Sequence, residues 1–481
     1  MSPLAYIQEK SGVKNSTVIV SLALVLLLLF GAVYIRFQLS GVLFIVGALF
    51  FAYFFAWRAE TFPVIFLFYM ALFPIQKYSE QFEILPIYFA NKTIFVFVIL
   101  AFFILFFQKE MNPLKKISAP YQKDAVGFIV LLFLAWMIVQ TFYGLSRNYK
   151  DYAILMEVHA YSLIFTYFFW RALFRWKHHE RKWLNFIALL GIITAIEYIG
   201  LVAFVFRDIV TFVLVRNITR QSQMIIASFP IVASIFMMNR SWRIKTISII
   251  AIMLLTIQAF LTQQRTIWLT FAAMIFIFFT LVMFRKGITY KSFLRWLGVT
   301  FLLSLALIGL LVLAAWFFDT DMSILLKRWE TVQNLTDSSF LMRIIDSRHA
   351  IEEVGKRWLI GLGVGRELQV IPSSSFFYFF DVSYLTVFYK GGVPATILLT
   401  LIYLGGIYRA FQVFQRTNSN KTQYYAIAII TVLAGQMISG ITTVSMIYYR
   451  FVFIWMMFVA AAVVLYERLK EEQTETEQAH G

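Results

Sequence analysis

The chain contains no cysteine. That excludes disulfide bonds and thiol catalysis, and it leaves the compartment open. Charge is scarce as well: 14% of the 481 residues are charged, against 61% hydrophobic, and the mean hydropathy is +0.77. A soluble fold could not shield that much apolar surface from water, so the bilayer is the solvent. Acidic residues number 25 against 42 basic ones, for a net charge of +17. The basic residues are spread over many short segments, which reads as a topology signal and excludes a nucleic-acid partner. No internal repeat is visible.

What is abundant fits the bilayer. The 53 Phe and 12 Trp suit lipid contact and interfacial anchoring. Apolar runs fall near 16–35, 39–57, 61–75, 90–107, 125–143, 152–170, 183–205, 222–238, 246–263, 266–284, 296–318, 382–408, 422–440 and 447–466. The first is long enough for an uncleaved span. The third is short and either re-enters or extends further. The 382–408 run holds Lys390, Gly391, Gly392 and Pro394, which predicts a kink or an irregular start. The expectation is an all-α, polytopic membrane bundle of about 12–14 transmembrane helices.

With the N-terminus inside, alternation puts 24 lysines and arginines on inside segments, 10 on short outside segments and span ends, and 8 on the long segment 319–390. That excess fits the positive-inside rule. Both termini are then cytoplasmic. The chain divides into a cytoplasmic segment 1–15, a bundle 16–318, an extracytoplasmic loop 319–381 over the site, C-terminal helices 382–466 and a tail 467–481. The tail is polar and acidic, and disorder is expected there.

The loop 319–381 is the one stretch long enough to fold beyond the membrane. Leu325, Trp329 and Val332 share a helical face in its first part. Asp337, Ser338 and Ser339 then offer an N-cap. After them Phe340, Leu341, Ile344, Ile345, Ile351, Val354 and Trp358 recur at helical spacing, with Arg343, Ser347, Glu353 and Arg357 opposite. This predicts an amphipathic helix lying over the bundle. Gly361, Gly363 and Gly365 read as a turn that ends it, because a nucleotide loop would need a βαβ unit. Pro372–Ser375 is a second flexible piece.

Several polar residues stand out. Asp319 and Asp321 resemble a metal-holding acidic pair, but a solvated loop start is the simpler reading. Glu157, His159 and Glu197 lie within apolar runs, where ionisable groups are either functional or interhelical hydrogen-bonding partners. Arg216, Arg220, Arg265, Arg343, Arg348 and Arg366 fall on the side the positive-inside rule depletes. Guanidinium forks bind phosphate oxygens bidentately, so a pyrophosphate suits them. Asp381 opens the next helix as an N-cap, a general base, or both.

The order Arg216, then Thr262–Arg265 opening a span, Arg343 and Trp358–Gly365 in a long outside loop, then Tyr384, Leu385 and Gly392–Ala395 resembles the bacterial O-antigen ligase and O-antigen polymerase superfamily. These are multi-span glycosyltransferases of C-type architecture. Their ligases carry a His, a small polar residue, nine spacers and Gly-x-x-Gly. Here Asp381 and Ala395 replace the His and the last Gly, which favours a polymerase-like member. The resemblance implies an undecaprenyl-pyrophosphate-linked oligosaccharide as donor, at the outer face of a bacterial plasma membrane. It implies membrane lipids around the chain, and a flippase and chain-length regulator of the same pathway as partners. Arg216, Arg220, Arg265, Arg343 and Arg348 would hold the pyrophosphate, and Arg265 would assist catalysis. Asp381 would be the base of an inverting reaction that needs no metal or cofactor. Tyr384, Glu330 and His349 would contact acceptor or glycan, the last two also being reserve bases. The rivals are a ligase, which differs only in its acceptor, and a lipid-linked oligosaccharide flippase. A peptidoglycan polymerase of the rod-shape type would show loop motifs that are not apparent.

Overall fold

A computed structural model describes residues 124–177, 179–200, 223–262, 264–285, 338–369, 376–377, 382–443, 446–447 and 449–480. The expected spans at 16–35, 39–57, 61–75, 90–107 and 296–318 lie outside the described residues. So do Arg216, Arg220, Asp319, Asp321, Glu330 and Asp381. The described residues form eleven α-helices: α1 Ala125–Ser146, α2 Asp151–Ser162, α3 Thr166–Lys177, α4 Glu180–Gly200, α5 Gln223–Met238, α6 Trp242–Leu261, α7 Arg265–Met283, α8 Ser338–Val354, α9 Ser383–Arg416, α10 Asn420–Gly440 and α11 Tyr449–His480. A 3₁₀ turn, Leu163–Phe165, joins α2 to α3. A two-residue antiparallel pairing, β1 Leu368–Gln369 with β2 Phe376–Phe377, is the sole strand structure among them. Six of these helices are long and apolar enough to cross a membrane. The protein is an all-α, integral membrane chain.

Helix starts follow local chemistry. The Asp124 side chain accepts from the Gly127 N–H at 3.1 Å and caps α1. Ser419 caps α10 through the Thr422 N–H. Helices apolar on every side belong inside a bundle. α11 obeys this: every residue from Phe451 to Leu465 is buried. In α10 the residues from Tyr424 to Leu433 are all buried too. α1, α4, α6 and α7 instead leave large apolar residues such as Phe128, Leu189, Ile247 and Phe276 exposed, a surface suited to lipid.

The two ends of the bundle differ. At one end Arg171 pairs with Asp124 (3.1 Å) and Glu467 (2.5 Å). Arg468 pairs with Glu180 at 2.7 Å and donates to the Phe174 carbonyl. These contacts tie α11 to α1, α3 and α4. At the other end the Tyr198 hydroxyl donates to the Leu261 carbonyl, and Ser383 bonds to Thr443. The ends of α4, α6 and α10 and the starts of α7 and α9 therefore gather on one side, as strict alternation of antiparallel spans requires.

Two expectations need correction. The tail is not disordered from residue 467: α11 continues to His480. Ion pairs of Glu467, Arg468 and Glu471 with Arg175, Glu180 and their neighbours fix its next turns. The exposed remainder is rich in Glu and Gln, good helix formers. The amphipathic helix forms as α8, but among the described residues most of its apolar stripe is not packed on the bundle. Leu341, Ile344, Ile345 and Ile351 are exposed, while Ala350 and Val354 pack with Leu362 and Tyr389. The Glu353 bonds described below turn the face carrying Ala350, Glu353 and Val354 inward instead.

Candidate functional site: a docked loop and a broken helix

The predicted kink is real. Within α9, Gly392 takes φ 68° and ψ −167°, and this splits the helix into Ser383–Gly391 and a longer second half. In an unbroken helix the Val393 N–H would serve the Tyr389 carbonyl, and residue 394 would serve Lys390. Here Val393 donates to the Trp358 carbonyl at 3.0 Å, and Pro394 has no N–H to give. The segment after α8 answers. Leu362 N–H donates to the Tyr389 carbonyl and Gly363 N–H to the Lys390 carbonyl, both at 2.9 Å. The Trp136 indole donates to the Gly391 carbonyl at 2.7 Å. Irregular backbone inside an apolar span is tolerated only where protein satisfies it; the knuckle Trp358–Gly365 does that here.

Glycine is required at this contact. A Cβ on Gly392 would stand 2.3 Å from the Leu359 carbonyl oxygen. One on Gly361 (φ 80°) would stand 2.6 Å from the Lys390 carbonyl oxygen. The turn reading of Gly361–Gly365 therefore holds, with a sharper role: the turn is a plug for the broken helix.

Charged groups complete the seal. Glu157 on α2 and Lys390 on α9 are both fully buried and pair at 2.5 Å. Glu157 also accepts from the Gly365 N–H at 3.0 Å, and Lys390 donates to the Arg366 carbonyl. Arg366 in turn donates to Glu353 of α8 (2.6 and 3.0 Å), and the Tyr389 hydroxyl donates to the other Glu353 oxygen at 2.5 Å. The bonds to Glu353 push the Arg366 guanidinium further above its ordinary range. Burial likewise raises the Tyr149 hydroxyl, keeping it a donor to the Leu362 carbonyl at 3.1 Å.

Beyond the plug, α8 forms one wall of a cleft of about 600 Å³. Arg343, Ser347, Arg348 and Glu352 give it polar groups. Ile344, Ile351, Val382 and Ile441 give it apolar ones. Two of the predicted phosphate-binding arginines, Arg343 and Arg348, thus share one cleft. Arg348 is exposed and pairs with Glu352 at 2.8 Å, a weak contact that a stronger anion can displace. Val382, directly after Asp381 in the chain, lines the same cleft.

The other predicted residues fall elsewhere. Arg265 starts α7 at the same end of the bundle, but it does not line the cleft. The turn before it is held by Thr262, whose side chain accepts from the Gln264 N–H, and by the Trp268 indole, which donates to the Ala259 carbonyl. The Tyr384 hydroxyl donates to the Met437 carbonyl at 3.4 Å, so it braces α9 against α10. His349 sits half-buried on α8, one turn before Glu353 and outside the cleft lining. Arg366 is engaged by Glu353. Sequence reasoning missed Lys390, Tyr389 and Glu353. Lys390 was detectable, being a charge within an apolar run like Glu157, but it was counted with the outside loop.

The fold and this site define a class: a polytopic helical membrane protein in which the segment Trp358–Gly365 docks into a broken span beside an arginine-bearing cleft. Residues 249–400 match the family described as O-antigen ligase. The match runs from α6 through the Arg265 turn, the cleft arginines and the knuckle to the broken helix. This match, over about a third of the chain, supports a relationship to the O-antigen ligase and polymerase superfamily. No curated protein matches it.

Proposed function

We propose that this protein is a polymerase-like glycosyltransferase. It moves a growing glycan from undecaprenyl pyrophosphate onto the next lipid-linked repeat unit at the outer face of a bacterial plasma membrane. The observation that carries the reading is the cleft that holds Arg343 and Arg348 with Ile344, Ile351, Val382 and Ile441. Paired cationic forks suit a pyrophosphate, and apolar walls suit the first part of its lipid. A sugar–pyrophosphate bond is already activated. The acceptor hydroxyl attacks the anomeric carbon from the opposite face as the bond to pyrophosphate oxygen breaks, and the anomeric configuration inverts. Asp381 takes the hydroxyl proton. Arg343, Arg348, Arg265, Arg216 and Arg220 stabilise the charge on the departing pyrophosphate. Glu330, His349 and Tyr384 are assigned to acceptor or glycan contacts. Both termini are placed in the cytoplasm, and a flippase and a chain-length regulator are assigned as pathway partners.

A ligase is the second reading, favoured by the description of the matching family. Purified protein incubated with lipid-linked repeat units separates the readings. A ladder of glycan lengths supports the polymerase. A single transfer to an added lipid A-core acceptor supports the ligase. Covalently unchanged substrate counts against both and favours transport.

A further inference from the structure

We propose that the buried Glu157–Lys390 ion pair is a positioning element for the cleft and not a stability element, an inference that rests on the transfer reading above. Four observations lead there. Both side chains are fully buried, and each spends a second bond on loop backbone: Glu157 on the Gly365 N–H, Lys390 on the Arg366 carbonyl. The pair therefore clamps the loop after α8 between α2 and α9. The half-helix Ser383–Gly391 is pinned at its far end as well. Ser383 donates N–H and hydroxyl to the Thr443 carbonyl (3.1 and 2.7 Å), and its hydroxyl accepts from Met446 N–H at 3.1 Å. Val382, at the cleft, is eight residues from Lys390, a lever of about 12 Å. Release of the Lys390 end changes the tilt of that lever, and with it the separation of Val382 from Arg343 and Arg348 across the cleft. Finally, Gly355 joins α8 to the knuckle at φ 44°, and no described residue stands within 4 Å of where its Cβ would be. The register of α8 thus depends on how firmly the knuckle is seated.

Ion pairs of this kind are poor stabilisers. Two buried charges lose hydration that their attraction barely returns, and apolar replacements of similar volume leave stability near neutral. A clamp has the opposite signature, with unchanged global stability and altered local order.

The test uses Glu157→Met/Lys390→Met in the full-length protein in detergent micelles. Amide hydrogen exchange and thermal unfolding are read without substrate, so they do not depend on the transfer reading. Exchange at the Gly365 amide should accelerate about tenfold, the equivalent of one lost hydrogen bond. The thermal midpoint should stay at the wild-type value. Glycan transfer should fall about tenfold or more. A second variant, Glu157→Gln/Lys390→Met, keeps an acceptor for Gly365 N–H. It should regain exchange protection at Gly365 while transfer stays low, because the Lys390 end is still released. Wild-type exchange in the double-Met variant, or a collapsed thermal midpoint, overturns the clamp. Faster exchange with unchanged transfer overturns the link from clamp to cleft. If the wild-type protein transfers no glycan, the transfer reading fails while the exchange result still decides the clamp.

Discussion

Arg366 and Glu353 close the loop after α8 on itself: two guanidinium nitrogens meet one carboxylate oxygen at 2.6 and 3.0 Å, across thirteen residues of chain. Both side chains are partly exposed, so the pair contributes at most about 1 kcal/mol. It nevertheless couples α8 to the knuckle. Glu353→Gln should leave the thermal midpoint within a few degrees while amide exchange along α8 rises about fivefold. Unchanged exchange in α8 would mean that Ala350 and Val354 hold the helix without help.

Backbone at the broken helix is the least tolerant part of the fold. Gly392→Ala forces a positive φ on a residue with a Cβ and sets that Cβ against the Leu359 carbonyl. The strain alone costs about 1–2 kcal/mol, and displacement of the knuckle adds to it. Gly200→Ala is the control, since no described residue lies within 4 Å of its Cβ. Expression and thermal midpoint should fall for the first variant and hold for the second. Equal values for both would remove the knuckle as a plug.

The last turns of α11 divide into an anchored and a free part. Glu467 partners the buried Arg171, so Glu467→Ala leaves a charge short of one acceptor and should cost about 1–3 kcal/mol. Truncation after Glu472 removes residues of which 473–478 are exposed, and it should leave the thermal midpoint unchanged. A large fall on truncation would assign those residues a contact in the folded protein.

Much of this architecture is legible in the sequence. Apolar runs of span length mark α1, α4, α6 and α7, because a bilayer imposes one length scale. Pro394 beside Gly391 and Gly392 announces the break in α9. The partner of the break is not legible. Backbone carbonyls left open at Tyr389 and Lys390 carry no sequence signature, and neither does their capture by Leu362 and Gly363 some thirty residues earlier. The orientation of α8 misled for a related reason. Periodicity identifies an apolar stripe, but the pull of Arg366 and Tyr389 on Glu353 decides which face turns inward. Arg343 and Arg348 both line the cleft, but five residues of helix set them about 140° apart around the axis, so helical periodicity alone does not bring them together.

Asp381 separates a base from a cap. Asn caps helices about as well as Asp but is a far weaker base. Asp381→Asn should fold and express normally and lose about 10²–10⁴-fold in transfer rate. Near wild-type transfer would reassign the base to His349 or Glu330.

The charge and the fork of the arginines can be told apart. Arg265→Lys keeps the charge and loses bidentate geometry, so turnover should still fall strongly. Wild-type turnover with normal expression would remove Arg265 from the site. Added chelator should leave transfer intact, and loss rescued by a divalent ion would instead implicate Asp319 and Asp321.

The central claim is transfer from a lipid pyrophosphate held by the cleft arginines. The most direct measurement counts lipid pyrophosphate released and glycosidic bonds formed in the same reaction, for wild type and for Arg343→Lys. The account predicts one released carrier per new bond, and a rate about 10²-fold lower in the variant. Release without new bonds, an intact lipid-linked glycan, or equal rates in the two proteins would contradict it.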